Sequence, residues 1–271
     1  MSRPIWYVNF VKRIFPGRFF LAKLTKIPVL RKLIDRLFFE GDTLLYIPRT
    51  KSIAVNEKIE KYGELVIPSK IVEYFIDRAN HHWIMNKCIC RDASVCKDYP
   101  IDLGCLFLGD AVLGINPRLG RLVSKEEALE HVKRCREAGL VHLIGRNKLD
   151  TVWLGIGPGY KLLTICNCCP CCCLWRIIPD LHKKIGSKIT GFPGVTVEVT
   201  DACTGCGKCT EGICFVNAIK IENGKAVHSD ECRGCGRCVA ECPANAIELR
   251  IGDEQNMINS VKEINRLVSI D

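Results

Sequence analysis

Two stretches of the chain carry one cysteine pattern, and no other feature limits the possible folds as strongly. Cys203-x-x-Cys206-x-x-Cys209-x4-Cys214 is followed by Cys232-x-x-Cys235-x-x-Cys238-x3-Cys242-Pro243. Three thiolates spaced two residues apart wrap a tight loop around three irons of one [4Fe–4S] cube. The fourth iron is reached by the distant cysteine of the other half. The spacing therefore assigns Cys203, Cys206, Cys209 and Cys242 to one cluster, and Cys232, Cys235, Cys238 and Cys214 to a second. Zinc sites pair C-x2-C units in twos, which the doubled triplet does not fit. Gly205, Gly207, Gly234 and Gly236 let the backbone turn between ligands and point amides at sulfur.

The repeat runs on past the cysteines, with Asn217-Ala218-Ile219 matching Asn245-Ala246-Ile247. Over about residues 197–250 these motifs resemble the bacterial-type two-cluster ferredoxin family. The resemblance implies a small pseudo-twofold fold of two strand pairs and two short helices. There are two departures. Four residues, not three, separate Cys209 from Cys214, and Phe215 stands where the family has proline.

The remaining thiols lie upstream. Setting aside those eight and a lone Cys135, ten of the 19 cysteines remain: Cys88, Cys90, Cys96 and Cys105, then Cys166, Cys168, Cys169, Cys171, Cys172 and Cys173. They sit as C-x-C and as adjacent pairs, which suits thiolate ligation better than a disulfide framework. Two cubes would use eight and leave two spare, whereas one unusual cluster would use more than four. Adjacent cysteines point in different directions, so the run 166–173 bridges two centres or turns some thiols inward. One or two further iron–sulfur clusters are expected here, with zinc, a thiolate store and structural cysteines as alternatives. Cys135 lies on the inner face of a predicted helix and is read as a buried core thiol. Arg91 and Arg176 are candidate donors to cluster sulfur or plain surface charges. His81, His82 and His142 are read as core or surface histidines rather than ligands.

Taken whole, Cys88-Ile89-Cys90-Arg91, Cys105-Leu106-Phe107-Leu108-Gly109 and Ile165-Cys166-Asn167-Cys168-Cys169-Pro170 resemble a set of ferredoxin-tailed iron–sulfur proteins of anaerobic bacteria and archaea, particularly methanogens, over about residues 60–250. The resemblance implies cluster binding and gives no substrate.

Composition sets the rest. The 271 residues are 48% hydrophobic and 25% charged, which predicts packed cores rather than disorder. The fold class expected is α+β: a cysteine-rich mixed domain, a two-cluster domain and a C-terminal helix. The boundaries read as 1–40 for a basic amphipathic segment, 41–178 for the cysteine-rich domain, 179–195 for a Gly/Pro-bearing linker, 196–250 for the two-cluster domain and 251–271 for the helix. Within 41–178, Ser52–Val55 reads as a strand and Ser69 as the cap of a helix to about His81. Ser124 and Glu127 form a capping box, and Val141–Ile144 with Val152–Ile156 read as a hairpin. Gly155-Ile156-Gly157-Pro158-Gly159 lacks a P-loop lysine and reads as a turn.

Residues 1–40 hold nine Lys/Arg against Asp35 and Glu40, so +7 of the formal +9 sits in that segment. It reads as two helices broken at Pro16-Gly17. In the second, Val29, Leu30, Leu33, Ile34, Leu37 and Phe38 form the expected inner face. Three roles follow: packing on its own domain with a solvated basic face, an anionic membrane surface, or an acidic partner protein. No base-reading basic helix is present, so nucleic acid is not expected. The N-terminus has no secretory pattern and no window has a spanning length of apolar residues, so a cytoplasmic setting is expected, with peripheral membrane association as the alternative. The function these residues support is a multi-cluster relay of single electrons to or from a redox partner protein. A reductase with a catalytic upstream centre and a cluster-delivery scaffold are the competing readings.

Overall fold

The protein is described by a computed structural model covering residues 2–49, 68–251 and 254–271. The strand expected at Ser52–Val55 lies outside the described residues. The architecture is α+β, as expected. Its centre is a mixed sheet in the order β4 (Gly120–Val123), β2 (His82–Met85), β3 (Leu106–Leu108), β6 (Leu163–Cys168), β5 (Val141–Arg146), β1 (Thr43–Tyr46), β7 (Ile189–Gly191). Neighbours are antiparallel except β1 and β7.

Side chains alternate across a strand, and that alternation builds two cores. On one face Leu45, Ile84, Leu106, Leu108, Leu163 and Ile165 are covered by three helices: α4 (Pro68–Arg78), α6 (Lys125–Glu137) and α10 (Glu254–Leu267). Val72, Phe75, Ile76 and Ala79 point inward from the α4 region as the periodicity predicts. The Ser124 side chain accepts from Glu127 N at 3.2 Å, so the capping box forms. The terminal helix packs back onto this upstream core through Val261, Ile264 and Val268.

The other face is the one that matters for function. There Tyr46, Leu143, Cys166 and Cys168 meet α1 (Ile5–Ile14), α2 (Arg18–Leu24), α3 (Pro28–Phe38), α7 (Lys148–Leu154) and a 3-10 turn at Leu174–Asp180.

Three expectations need correcting. Residues 152–156 are no strand. Asn147 caps α7 by accepting from Leu149 N at 3.2 Å, and Gly155 ends it at a left-handed φ of 67°. An Asn start and a Gly stop are helix punctuation, so α7 takes the place of the hairpin's second strand. The supposed linker 179–195 is part of the sheet. It holds α8 (Lys183–Gly186) and β7, and Ile185, Ile189 and Phe192 are buried. The N-terminal segment contains three helices, with breaks at the 3-10 turn Phe15–Gly17 and again at Thr25–Ile27. In α3 only Leu30, Ile34 and Phe38 turn inward, while Val29, Leu33 and Leu37 are exposed.

One buried carboxyl ties the second face together. Asp42 accepts from Lys148 N at 2.6 Å, at the start of α7. Its burial pushes its pKa from 3.8 to about 7. Raised above its unfolded value, the group supports the fold fully below about pH 4 and opposes it progressively as pH rises through 7. Asp42→Asn keeps the acceptor and removes the charge. It is expected to raise stability at pH 8 by up to about 4 kcal/mol, at 1.36 kcal/mol per pKa unit, and by almost nothing at pH 4. Thermal unfolding at the two pH values checks this. An equal gain at both would show that charge burial is not the cause.

Candidate metal centres

All nineteen cysteines are free thiols, and the structure gathers eighteen of them into four groups. Two groups lie in the C-terminal segment. There β8 (Val195–Val199) pairs with β11 (Ile247–Ile251), and β9 (Ile219–Glu222) pairs with β10 (Lys225–His228). A short helical turn carries the third cysteine of each triplet: a 3-10 turn at Lys208–Thr210 holds Cys209, and α9 (Arg237–Ala240) holds Cys238. Cys214, Cys232, Cys235 and Cys238 line one small cavity. Cys209 lies within electrostatic reach of Cys203, Cys206 and Cys242.

The internal repeat is visible atom by atom. Ala218 N donates to Cys214 Sγ and Ala246 N to Cys242 Sγ, each at 3.3 Å. Gly205 is a required glycine: φ is +66°, and a Cβ there would stand 2.2 Å from the Gly224 carbonyl oxygen. The extra residue between Cys209 and Cys214 is taken up beyond the 3-10 turn, where Gly212 adopts φ +69°. Phe215 is buried against Tyr46, ring centroids 5.5 Å apart. The Phe215 side chain fastens this segment to the upstream sheet.

The third group is Cys96, Cys169, Cys171 and Cys172. Their sulfurs all lie within 4.8 Å of one another, just past the end of β6. Four thiols in that space meet the ligand demand of a tetrahedral metal ion or of one [4Fe–4S] cube. Burial pushes the Cys172 thiol up to about 12 and raises Cys169 and Cys171. A bound cation must therefore displace protons from them. Cys135 sits beside this group on α6, fully buried with its thiol raised to about 12 by burial, and is the core residue expected.

The fourth group is Cys88, Cys90, Cys105, Cys166, Cys168 and Cys173, around a cavity of about 100 Å³ on the second face of the sheet, which Cys169 of the third group also lines. Cys166 and Cys168 lie two residues apart on β6, so both belong to the same face of that strand. Cys88 caps α5 (Ile89–Ala93), and Cys173 caps the 3-10 turn by accepting from Trp175 N at 3.4 Å.

Arg91 lies between the third and fourth groups and is completely buried. Its guanidinium donates to the backbone oxygens of Asn167, at 2.8 Å, and Leu103. Burial opposes its charge, but the Cys88 and Cys169 thiolates outweigh that and raise its pKa. It is therefore no surface charge. Arg176 donates to the Cys171 carbonyl at 3.2 Å rather than to a sulfur.

Several contributors carry no signal in the sequence. Asn167, between two cysteines, accepts at 2.7 Å from His142 Nδ1 and donates at 2.7 Å to Gly104 O, which pins the strand that presents Cys166 and Cys168. Burial lowers His142 to about 4, so it is neutral. His82 Nε2 bonds Ile76 O at 2.6 Å, and both histidines are buried in the core. Asp150 lines the cavity and receives bonds from Asn147, Trp153 and Thr164 at 2.7–2.8 Å, while burial pushes it up to about 7. Gly155–Gly159 forms a turn, as expected, around a cis Gly157–Pro158 bond.

Comparison with known families adds one finding. Residues 210–251 match the family described as the LdpA Fe-S cluster-binding domain. The match spans Cys214, Cys232, Cys235, Cys238 and Cys242. The chain is an iron–sulfur protein. Residues 1–209 fall outside that match, and no curated protein and no solved structure matches the chain. Among the described residues no helix is long and apolar enough to cross a membrane.

Proposed function

We propose that the protein relays low-potential single electrons between a redox partner and an upstream iron–sulfur centre. Residues 196–250 then act as a two-cluster ferredoxin module, with Cys203, Cys206, Cys209 and Cys242 holding the outer cube and Cys214, Cys232, Cys235 and Cys238 the inner one. The observation that carries this reading is the order of the thiol groups. Cys206 is exposed at the outer end. The inner group shares one apolar cluster with Cys166, Cys168 and Cys173. Between them, the Tyr46 hydroxyl is fully buried among Cys168, Cys173 and Cys235. A second contact runs to the four-thiol group, where Arg237 donates to Tyr99 Oη at 3.0 Å and to Gly139 O at 2.7 Å. Surface entry, two centres in series and a buried upstream terminus are what a relay needs.

A reductase would need an approach for substrate, yet Val11 and Phe15 roof the six-thiol cavity. Delivery would need exposed clusters, and the upstream thiols are mostly buried.

The test is anaerobic stopped-flow reduction by a ferredoxin-reducing donor, followed by EPR. Cys235→Ser removes a ligand of the inner cube. It is expected to slow upstream reduction by roughly tenfold or more, a barrier of about 1.4 kcal/mol, with the outer cube reduced at its former rate. Upstream centres that reduce equally fast in the variant would sink the relay.

A further inference from the structure

Seven thiols line the cavity; Cys169 is claimed by the four-thiol group, whose sulfurs lie within 4.8 Å of one another, and the six that remain are still more than a cube uses. Its thiols sit close enough to shift one another's ionisation around the wall: Cys88 with Cys90, Cys105 with Cys166, Cys166 with Cys168, and Cys168 with Cys173. The chain supplies them in two threes. Cys105 leads into β3 and Cys166 and Cys168 lie on β6, so these come from the sheet. Cys88 and Cys90 come from α5 and Cys173 from the 3-10 turn, so these come from the helical side.

Six thiolates cannot share an apolar cavity unless a polyvalent cation compensates them, because each buried charge costs several kcal/mol. One zinc ion takes four thiolates and strands two. One [4Fe–4S] cube likewise takes four and strands two. Two cubes joined through a bridging sulfide each give up one terminal thiolate, which leaves three per cube. That demand equals the supply, three from the sheet and three from the helices.

We propose that Cys88, Cys90, Cys105, Cys166, Cys168 and Cys173 together hold one iron–sulfur centre larger than a cube, with about eight irons. Two cations stand ready for its negative charge. Arg91 lines the cavity, and its Nε is buried without a partner among the described residues. Arg18, stacked on Phe15 and Phe19 at 4.1 and 4.4 Å, has a buried Nε in the same state and lies within electrostatic reach of Cys90 and Cys173. A centre of this kind stores more than one electron, so it is a suitable terminus for two single-electron donors in series.

The inference rests on the reading of the upstream thiols as iron–sulfur ligands, and iron counting separates the two. Anaerobically purified protein is expected to hold about 20 irons per chain: about eight in the C-terminal pair, about four at Cys96, Cys169, Cys171 and Cys172, and about eight here. A total of about 16, with Cys88→Ser losing only about four, would overturn the larger centre and leave the relay standing, whereas a total of about eight would overturn both. Single Ser replacements give a second readout. All six positions should be needed, so each variant loses about eight irons, while Cys169→Ser loses about four. Two of the six variants keeping their full iron would mean a cube with two spare thiols.

A second inference rests on a separate observation. On α1, Trp6, Phe10 and Ile14 recur every fourth residue and are all exposed, Trp6 at 69%. On α3, Val29, Leu33 and Leu37 do the same, Val29 at 77%. Phe20 on α2, at 66%, continues the pattern. Spacing of four puts each trio on one face, away from the residues that turn inward, Val8 into one core cluster and Ala22, Ile34 and Phe38 into another. Monomeric proteins seldom expose so much contiguous apolar surface without a use for it. Arg13, Lys23, Lys26, Lys32 and Arg36 are exposed among these residues.

We infer that α1–α3 dock on an anionic lipid surface, with the aromatic and aliphatic stripes entering the headgroup boundary and the cations meeting lipid phosphate. Flotation with the full-length protein tests it. Binding is expected to vesicles containing phosphatidylglycerol and to weaken in high salt, with little binding to phosphatidylcholine alone. Phe10→Glu with Leu33→Glu should abolish it at unchanged iron content. Failure to float with anionic vesicles would overturn the inference and assign the surface to an acidic protein.

Discussion

Arg91→Met is expected to strip the upstream domain of iron while leaving the C-terminal pair loaded. The side chain is wholly buried, and its charge is supported by thiolates of both upstream groups, chiefly Cys88 and Cys169 and then Cys105. Methionine fills much of the volume but leaves those thiolates uncompensated. It also leaves the carbonyls of Asn167 and Leu103 without their donor. Breaking a buried charge pairing of this kind costs about 3–5 kcal/mol, a large share of a domain's net stability. Iron content should fall to about eight per chain. Arg91→Lys keeps the charge but loses the planar fork that reaches two carbonyls at once. It should fall between the two. Full iron in Arg91→Met, with unchanged anaerobic unfolding, would show that Arg91 only fills space.

The doubled triplet was readable because local spacing alone groups its ligands: a loop of two residues fixes which thiols meet. The upstream ten were not readable in that way. Cys168 and Cys169 are neighbours in sequence and both line the cavity, yet only Cys169, just past the end of β6, joins Cys96, Cys171 and Cys172 in the four-thiol group. Cys96 reaches Cys171 at 3.6 Å across 75 residues, a contact that only tertiary folding makes. The count of ten was informative; its division into four and six was not visible. Helix faces in the core, as in α4 and α6, followed the 3.6-residue period because burial enforces it. The outward face of α3 obeyed the same period and gave the wrong sense for Val29, Leu33 and Leu37. Periodicity marks an apolar stripe without saying what covers it. The error over 179–195 has a similar cause, since Gly191 and Pro193 punctuate an edge strand as readily as a linker.

Phe215 is where the two halves of the molecule are held together, and its removal should be the most informative single cut in the C-terminal segment. It is 2% exposed and packs on Tyr46 within the cluster that also contains Cys166, Cys168, Cys214 and Cys235. Phe215→Ala is expected to cost about 3–5 kcal/mol, the range for emptying a buried aromatic site. The polar contacts that remain, such as Arg233 Nε to Ile189 O at 2.9 Å and Arg237 to Gly139, should not replace that apolar seam. Anaerobic unfolding should therefore separate into two transitions, with the C-terminal clusters lost first. Tyr46→Phe is the matched control. The Tyr46 hydroxyl is buried with no hydrogen-bond partner among the described residues. Deleting an unsatisfied buried hydroxyl while keeping the ring is expected to be neutral or to stabilise by about 1 kcal/mol. If the ring contact does the fastening, Phe215→Ala splits the transition and Tyr46→Phe does not. If Tyr46→Phe splits it too, the hydroxyl contributes a contact of its own and the ring alone does not do the fastening.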